Sequence, residues 1–296
     1  MGQGGSQMAW ATSLRKIASI LSLIAFAGAA GNAADAGVLD KLQQDKTLRI
    51  AYRADAPPFS FVDGAGAPAG FIVDLCRAVA QKLQAQLNIG DLKIAYVRVT
   101  AADRFETIAK GDADLLCEPT SATLSRREQV DFSIATFIDG TGVLVRADEP
   151  TNLKEFAGKK VGVLAGTTTE NVLRNGLAAT GIAAEVVPAK THNDGIAMLD
   201  AGQIAAYFAD RSILMSLVAG SKAPEKLHLA DNYLTLEPYA LALPHGDEDY
   251  RLAVDRALSH IYRSGEIAAI MQRTFGSGVT PSDTLQTLYV LSALPD

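Results

Sequence analysis

The chain has 296 residues, 48% of them apolar and 20% charged, with 27 Lys+Arg against 33 Asp+Glu and a formal charge of −6. That length supports one large or two modest domains, and the composition is globular, with too little basic charge for a nucleic-acid partner. Aromatic residues at 6% leave little for broad stacking surfaces, and two cysteines, Cys76 and Cys117, exclude a disulfide-dense scaffold and a four-cysteine zinc site.

Residues 1–33 read as a cleavable signal peptide. Arg15 and Lys16 give the basic start, a 14-residue apolar run extends from Ile17 to Ala30, and Gly31 and Ala33 supply small residues before the cut. The run is shorter than the roughly 20 residues of a membrane-spanning helix, and a retained anchor is the competing reading. No cysteine follows it, which excludes a lipid attachment there. Removing the leader takes away two basic residues and leaves 25 against 33, a net of −8, for a mature protein expected to be soluble, secreted and acidic. A receptor's sensor domain is disfavoured, since no spanning helix follows before Asp296. In an oxidising compartment Cys76 and Cys117 form one disulfide or stay as two buried thiols, and the sequence leaves both open.

The remaining chain alternates strands and helices. LRIAYR (48–53) is a strand, closed by the Pro-, Gly- and Asp-rich loop ADAPPFSFVDGAGAPAG. FIVDLCRAVAQKL follows as an amphipathic helix with Ile72, Leu75, Cys76, Val79 and Leu83 on one face. KIAYVRV (93–99) is a strand, AADRFETIAKG a helix, DADLLCEP a buried strand and SATLSRREQVDFS a short helix. KKVGVLAG (159–166), AAEVVPA and IAAYFAD are further strands, separated by helices over TTTENVLRNGL and through IAMLDAG. PYALALP (238–244) is one more strand before two closing helices, DYRLAVDRALSHIYRSG and EIAAIMQRTFG.

Strands separated by helices predict an α/β protein with parallel sheets covered on both faces. Length and strand number favour two lobes, the first from residues 34–136 and 238–296 and the second from 137–237. The crossings fall at FIDG (137–140) and YLTLE (233–237), and two crossings beside a cleft suit hinge closure. The tail SDTLQTLYVLSALPD has an apolar face expected to rest on lobe one.

Several residues carry binding chemistry. Arg126 lies in Ser125-Arg-Arg-Glu128, whose capping-box spacing puts it in the first turn of a helix, where free N–H groups favour an anion. A guanidinium holds a carboxylate through two parallel hydrogen bonds. Arg127 points elsewhere on such a helix and reads as a surface charge, while Ser121 and Thr123 can donate to the anion at Arg126. Thr167-Thr168-Thr169-Glu170 repeats the capping spacing after a strand, with Thr167 as N-cap. The four histidines, His192, His228, His245 and His260, contain no i,i+4 pair, and no P-loop, dinucleotide fingerprint or nucleophile elbow occurs. No metal or cofactor is expected.

In combination, LRIAYRADAPPFSFVDGAGAPAGFIVDLCRAVA, GDADLL, SRREQVDFS and VGVLAGTTTE resemble the amino-acid-binding family of periplasmic solute-binding proteins that serve ABC transporters. The likeness extends from residue 46 to Gly276. It implies a bilobal type II periplasmic binding fold, with two parallel-rich sheets and flanking helices joined by two hinge crossovers. It also implies a monomer that captures a free amino acid, performs no chemistry on it and delivers it to a membrane permease. By the same resemblance Arg126, six residues before Phe132, holds the ligand carboxylate, Thr168 contacts ligand from the second lobe, and Asp210 holds the ammonium.

Arg53, Arg104 and His192, the last within AKTHNDGIAMLDAG, make the chain similar to the glutamate/aspartate-binding branch, which implies a ligand with two carboxylates. Three guanidinia in one cleft repel one another unless the ligand brings more than one negative charge, and a neutral side chain would leave one unpaired. Pro119 and Ala101 depart from that branch, and Pro119 removes a backbone donor. Local alternatives exist: Arg53 or Arg104 pairs with Asp55, Asp103 or Glu106 at the surface, His192 is a satisfied loop residue, and Asp210 caps a turn. A competing class is a secreted cyclohexadienyl dehydratase-like enzyme on the same fold, for which Glu118 is the candidate acid.

Overall fold

Both faces of LRIAYR are covered, so it forms an interior strand: Leu48, Ile50, Ala51 and Tyr52 are all buried. The structure, a computed structural model, describes Met1 and residues 37–295; the leader expected over residues 1–33 lies outside the described residues except for Met1.

In chain order, α1 (Val38–Asp45) and β1 (Thr47–Arg53) lead into a three-stranded meander of β2 (Asp55–Ala56), β3 (Ser60–Val62) and β4 (Pro68–Ala69). Next come α2 (Phe71–Gln86), β5 (Lys93–Val99), α3 (Arg104–Ala109), β6 (Leu115–Leu116) and β7 (Val130–Asp139). The middle of the chain supplies β8 (Thr141–Arg146), β9 (Lys160–Leu164), α4 (Thr168–Thr180), β10 (Glu185–Ala189), α5 (His192–Asp200), β11 (Ala206–Asp210), α6 (Arg211–Ala219) and β12 (Leu227–Leu229). The last stretch gives β13 (Glu237–Pro244), α7 (Glu248–Arg263), α8 (Glu266–Phe275) and α9 (Asp283–Ser292).

Sheet one has the order β5-β1-β6-β13-β7 and sheet two the order β10-β9-β11-β8-β12. The sheets are mixed, which corrects the expectation of parallel ones. β1 is parallel to β5 and β6, and β9 to β10 and β11, because a helix returns the chain between strands. β13 is antiparallel to β6 and β7, and β8 to β11 and β12. These are the strands through which the chain passes from one sheet to the other without a helical return.

At those passages the backbone is crowded. A Cβ on Gly140 would stand 1.8 Å from the Thr235 carbonyl oxygen. Glycine is what allows the outgoing and returning segments to touch, and they are also hydrogen-bonded: Thr141 N donates to Thr235 Oγ1 at 3.0 Å, and Leu234 N to Thr141 O at 2.8 Å.

The face of α2 read from the sequence is buried, with Ile72, Leu75, Cys76, Val79 and Leu83 all at 0% exposure. Phe59 centres an aromatic cluster with Phe71, Phe137, Tyr239 and Phe275, with ring centroids 4.9–6.5 Å from its own. Cys76 and Cys117 are bonded, with Cα atoms 6.3 Å apart, tying α2 to the end of β6. The tail forms α9, whose Leu285 and Tyr289 are buried and whose Tyr289 hydroxyl donates to Thr136 O of β7 at 3.2 Å. Among the described residues no helix is long and apolar enough to cross a membrane.

Candidate functional site

The ends of β1, β9 and β11, with the starts of α3, α4 and α5, converge on one narrow cavity. Its walls include Arg53, Arg104, Ser121 and Arg126 from the side of sheet one, and Thr168, His192 and Asp210 from the side of sheet two. Seven of the eight ligand-binding residues expected from sequence therefore line one cavity. Thr123 does not: its hydroxyl accepts from Arg126 N at 3.2 Å and pairs with Ser125 Oγ at 3.2 Å.

That contact corrects the reading of a capping box. Residues Arg126–Glu128 form a single 3-10 turn, and the Ser125 side chain caps nothing. Thr123 fixes the turn, and Arg126 Nη1 donates to Ser121 O at 2.8 Å, which aims the guanidinium into the cavity wall. Burial lowers the pKa of Arg126 while leaving it a cation. Phe105, missed in the sequence, lies between two arginines, its ring centroid 4.6 Å from the Arg104 guanidinium carbon and 5.1 Å from that of Arg126.

Arg53 and Arg104 are not unpaired, as the argument from mutual repulsion assumed. Arg53 is 3% exposed; its Nε donates to Asp55 Oδ1 at 3.0 Å, and its Nη1 lies 3.7 Å from Glu118 Oε2. Arg104, 2% exposed, has Nε 3.3 Å from Glu118 Oε1 and donates to Ala101 O and Gly166 O. Arg53 thus does pair with Asp55, but inside the protein, and Arg104 pairs with neither Asp103 nor Glu106. Burial foremost brings the Arg104 pKa down to about 10. Asp55 would be pushed up by burial, but Arg53 and the His192 side outweigh this and hold it below the usual carboxylate range.

Sheet two presents a different chemistry. Thr167 caps α4, its hydroxyl accepting from Glu170 N at 3.2 Å, while Glu170 Oε2 accepts from Gly166 N at 2.9 Å. The first amides of the 13-residue α4, at Thr168 and Thr169, have no intrahelical acceptor and favour an anion. Asp210 caps nothing; its Oδ1 accepts from Thr169 Oγ1 at 3.4 Å, and withdrawal from bulk water raises its pKa to about 6. Asp139, buried at the end of β7, is raised by burial and then by Asp210 to about 7. Its Oδ2 accepts from Ser212 N at 3.1 Å and Tyr239 OH at 3.4 Å.

His192 is the first residue of α5 rather than a loop residue, and its Nδ1 lies 2.9 Å from Tyr207 OH. The Tyr207 ring reaches it because Gly195 lacks a side chain: a Cβ there would sit 2.1 Å from that ring. Burial first and Arg53 second push the His192 pKa down to about 3, so the imidazole is neutral.

Three contacts span the cavity from wall to wall. Arg104 Nη2 donates to Gly166 O at 3.3 Å, Ser121 Oγ lies 3.3 Å from Thr168 Oγ1, and His192 N donates to Asp55 Oδ2 at 3.3 Å. Among the described residues no group of three His, Cys, Asp or Glu has metal-site geometry.

Two sheets joined by paired crossings, with a charged cavity where the strand ends of both meet, define a bilobal periplasmic binding fold of type II. The chain belongs to the bacterial extracellular solute-binding proteins, family 3, whose model matches residues 48–277. It is 30% identical over 249 residues to the L-glutamate/L-aspartate-binding protein of Pseudomonas aeruginosa, covering 83% of this chain and 82% of that one. The glutamate/aspartate import solute-binding protein of Escherichia coli is 25% identical over 278 residues, 91% of each chain. Among solved structures, an ancestral amino-acid-binding protein, a precursor of cyclohexadienyl dehydratase, superposes with a TM-score of 0.70 at 24% identity, covering 81% of this chain and all of that one. That likeness speaks to the fold.

Proposed function

We propose that the protein is the periplasmic capture subunit of an ABC importer and binds an acidic, glutamate- or aspartate-like amino acid without transforming it. The observation that carries this reading is the placement of Arg126 and Asp210 in the wall of one cavity, a cation for the α-carboxylate and an anion for the ammonium. The amides of Thr168 and Thr169 add to the carboxylate site, and Arg53, Arg104 and His192 surround the place left for the side chain. Support for the acidic ligand comes from the names of the curated relatives. Export rests on the leader sequence and on the family, and delivery to a permease on the family alone. Residues on both walls make contacts available together only when the walls are close, which supplies the differential affinity that ligand-driven closure needs.

A thermal-shift screen of the twenty amino acids and small dicarboxylates tests the reading. A ligand that binds only the native state raises Tm progressively above its Kd. Glutamate or aspartate should give the largest shift, and a larger shift with a neutral or basic amino acid would replace the acidic assignment.

The dehydratase-like alternative draws on the ancestral neighbour. It requires an acid facing the ligand, whereas Glu118 is fully buried behind Arg53 and Arg104 and is not part of the cavity wall. Incubation with arogenate or prephenate should give no turnover, and product formation would end the pure-binding reading.

A further inference from the structure

Glu118 has no counterpart in the binding scheme above. It lies two residues past β6, is 0% exposed, and neither carboxylate oxygen has a hydrogen-bond partner. Charge alone holds it, through Arg104 Nε at 3.3 Å and Arg53 Nη1 at 3.7 Å. The groups that face it are Arg53 of β1, Arg104 of α3, Arg126 of the 3-10 turn and Asp55 of β2.

With Arg126 left for the ligand α-carboxylate, Arg53 and Arg104 meet two carboxylates at the side-chain end of the cavity before any ligand arrives. An amino acid with a neutral side chain leaves that balance intact. A second ligand carboxylate makes three anions around two cations in a space that holds little water, where like charges disfavour joint ionisation. One of the protein's own carboxylates has to give up its charge. Asp55 is poorly placed to do so, because it accepts hydrogen bonds from Arg53 Nε and His192 N and is held below the usual range. Glu118 accepts none, and burial already pushes it upward.

We infer that Glu118 sets the charge preference of the side-chain subsite: it takes up a proton when a dicarboxylic amino acid binds and keeps its charge when a neutral one does. The inference rests on the acidic-ligand reading above and adds to it a specificity residue that does not touch the ligand. Glu118 acts through Arg53 and Arg104, as a positioning and charge-setting group.

Calorimetric titration of the purified protein with L-glutamate and L-glutamine, in phosphate and in Tris, measures the protons exchanged. Glutamate should bind with proton uptake, and its Kd should rise with pH, by up to about tenfold per pH unit over the range in which that uptake persists. Glutamine should bind without uptake and serves as control for Asp210 and Asp139, which act on every amino acid. Glu118→Gln should remove both the uptake and the pH slope, raise affinity for glutamate at high pH, and weaken glutamine. Glutamate binding to the unaltered protein without proton uptake overturns the inference alone, whether or not the variant folds. An undiminished uptake in a folded Glu118→Gln protein overturns it as well. Failure of glutamate and aspartate to bind at all, while another amino acid binds, removes the acidic reading and this inference together.

Discussion

The wall built on sheet one holds Arg53 and Arg104 in pairs with carboxylates, whereas the wall built on sheet two offers hydroxyls, helix amides, a neutral imidazole and one partly exposed carboxylate. Arg53 and Arg104 are fixed by Asp55 and Glu118, which the ligand need not touch. Asp210 and the start of α4, in contrast, are held by hydroxyl and amide hydrogen bonds rather than by opposite charges. A preorganised wall positions a ligand's carboxylates with little reordering on binding, and a lightly bonded wall can adjust as it closes. On the proposed reading, sheet one supplies the guanidinia for the ligand's carboxylates, and sheet two adds helix amides and the ammonium partner.

The strongest way to break this comparison is Arg126→Ala. Truncating a half-buried, hydrogen-bonded charge should weaken every amino-acid ligand by about 100- to 1,000-fold in calorimetry. An unchanged Kd would remove the carboxylate assignment. On the opposite wall, Asp210→Asn should cost about 10- to 100-fold for every amino acid, because the ammonium loses its anion. The unaltered protein carries a related signature. The ligand ammonium favours ionised Asp210, whose pKa stands at about 6, so binding below that pH must displace a proton. Affinity for glutamine should fall by up to about tenfold per pH unit beneath pH 6 and level off above it. A flat profile would separate Asp210 from the ammonium.

Arg53→Ala sharpens the comparison within one wall. It should weaken glutamate about tenfold more than glutamine, since only the former brings a second carboxylate. Equal losses would end the side-chain assignment. The smallest expected effect contrasts the two sequence stretches with capping spacing. Thr167→Ala should lower unfolding stability by about 1 kcal/mol in a denaturant titration, while Ser125→Ala should be nearly silent. The hydroxyl of Thr167 caps α4, whereas that of Ser125 caps no helix.

These two stretches also show where sequence reading succeeds and where it stops. Local alternation located β1, β5 and the buried face of α2, because covered faces leave a periodic trace within a few residues. The motifs around Arg126 and Asp210 brought both to the cavity. The Ser125–Glu128 spacing was misleading because it matches a helix start in sequence while only Arg126, Arg127, Glu128 and Gln129 separate Ser125 from β7. The role of Glu118 was illegible as chemistry, since its partners lie at positions 53 and 104. A signal did exist: with Leu115 and Cys117 in the main core and Leu116 packed with Val99 and Ile108, alternation sends Glu118 to the side of α3. Mixed strand direction was likewise hidden, because it follows from where the chain changes sheets rather than from any one strand.

The strand order of sheet one has a consequence for synthesis. β13, residues Glu237–Pro244, lies between β6 and β7, which are made more than a hundred residues earlier in one case and about a hundred in the other. Sheet two draws all five of its strands from the continuous stretch Thr141–Leu229 and has its full set first. Until the chain reaches Pro244, β6 and β7 have an open edge each where their shared neighbour belongs. The half of the cavity wall that carries Arg53, Arg104 and Arg126 is thus completed last, which keeps the chain without a finished first sheet for most of its passage from the ribosome.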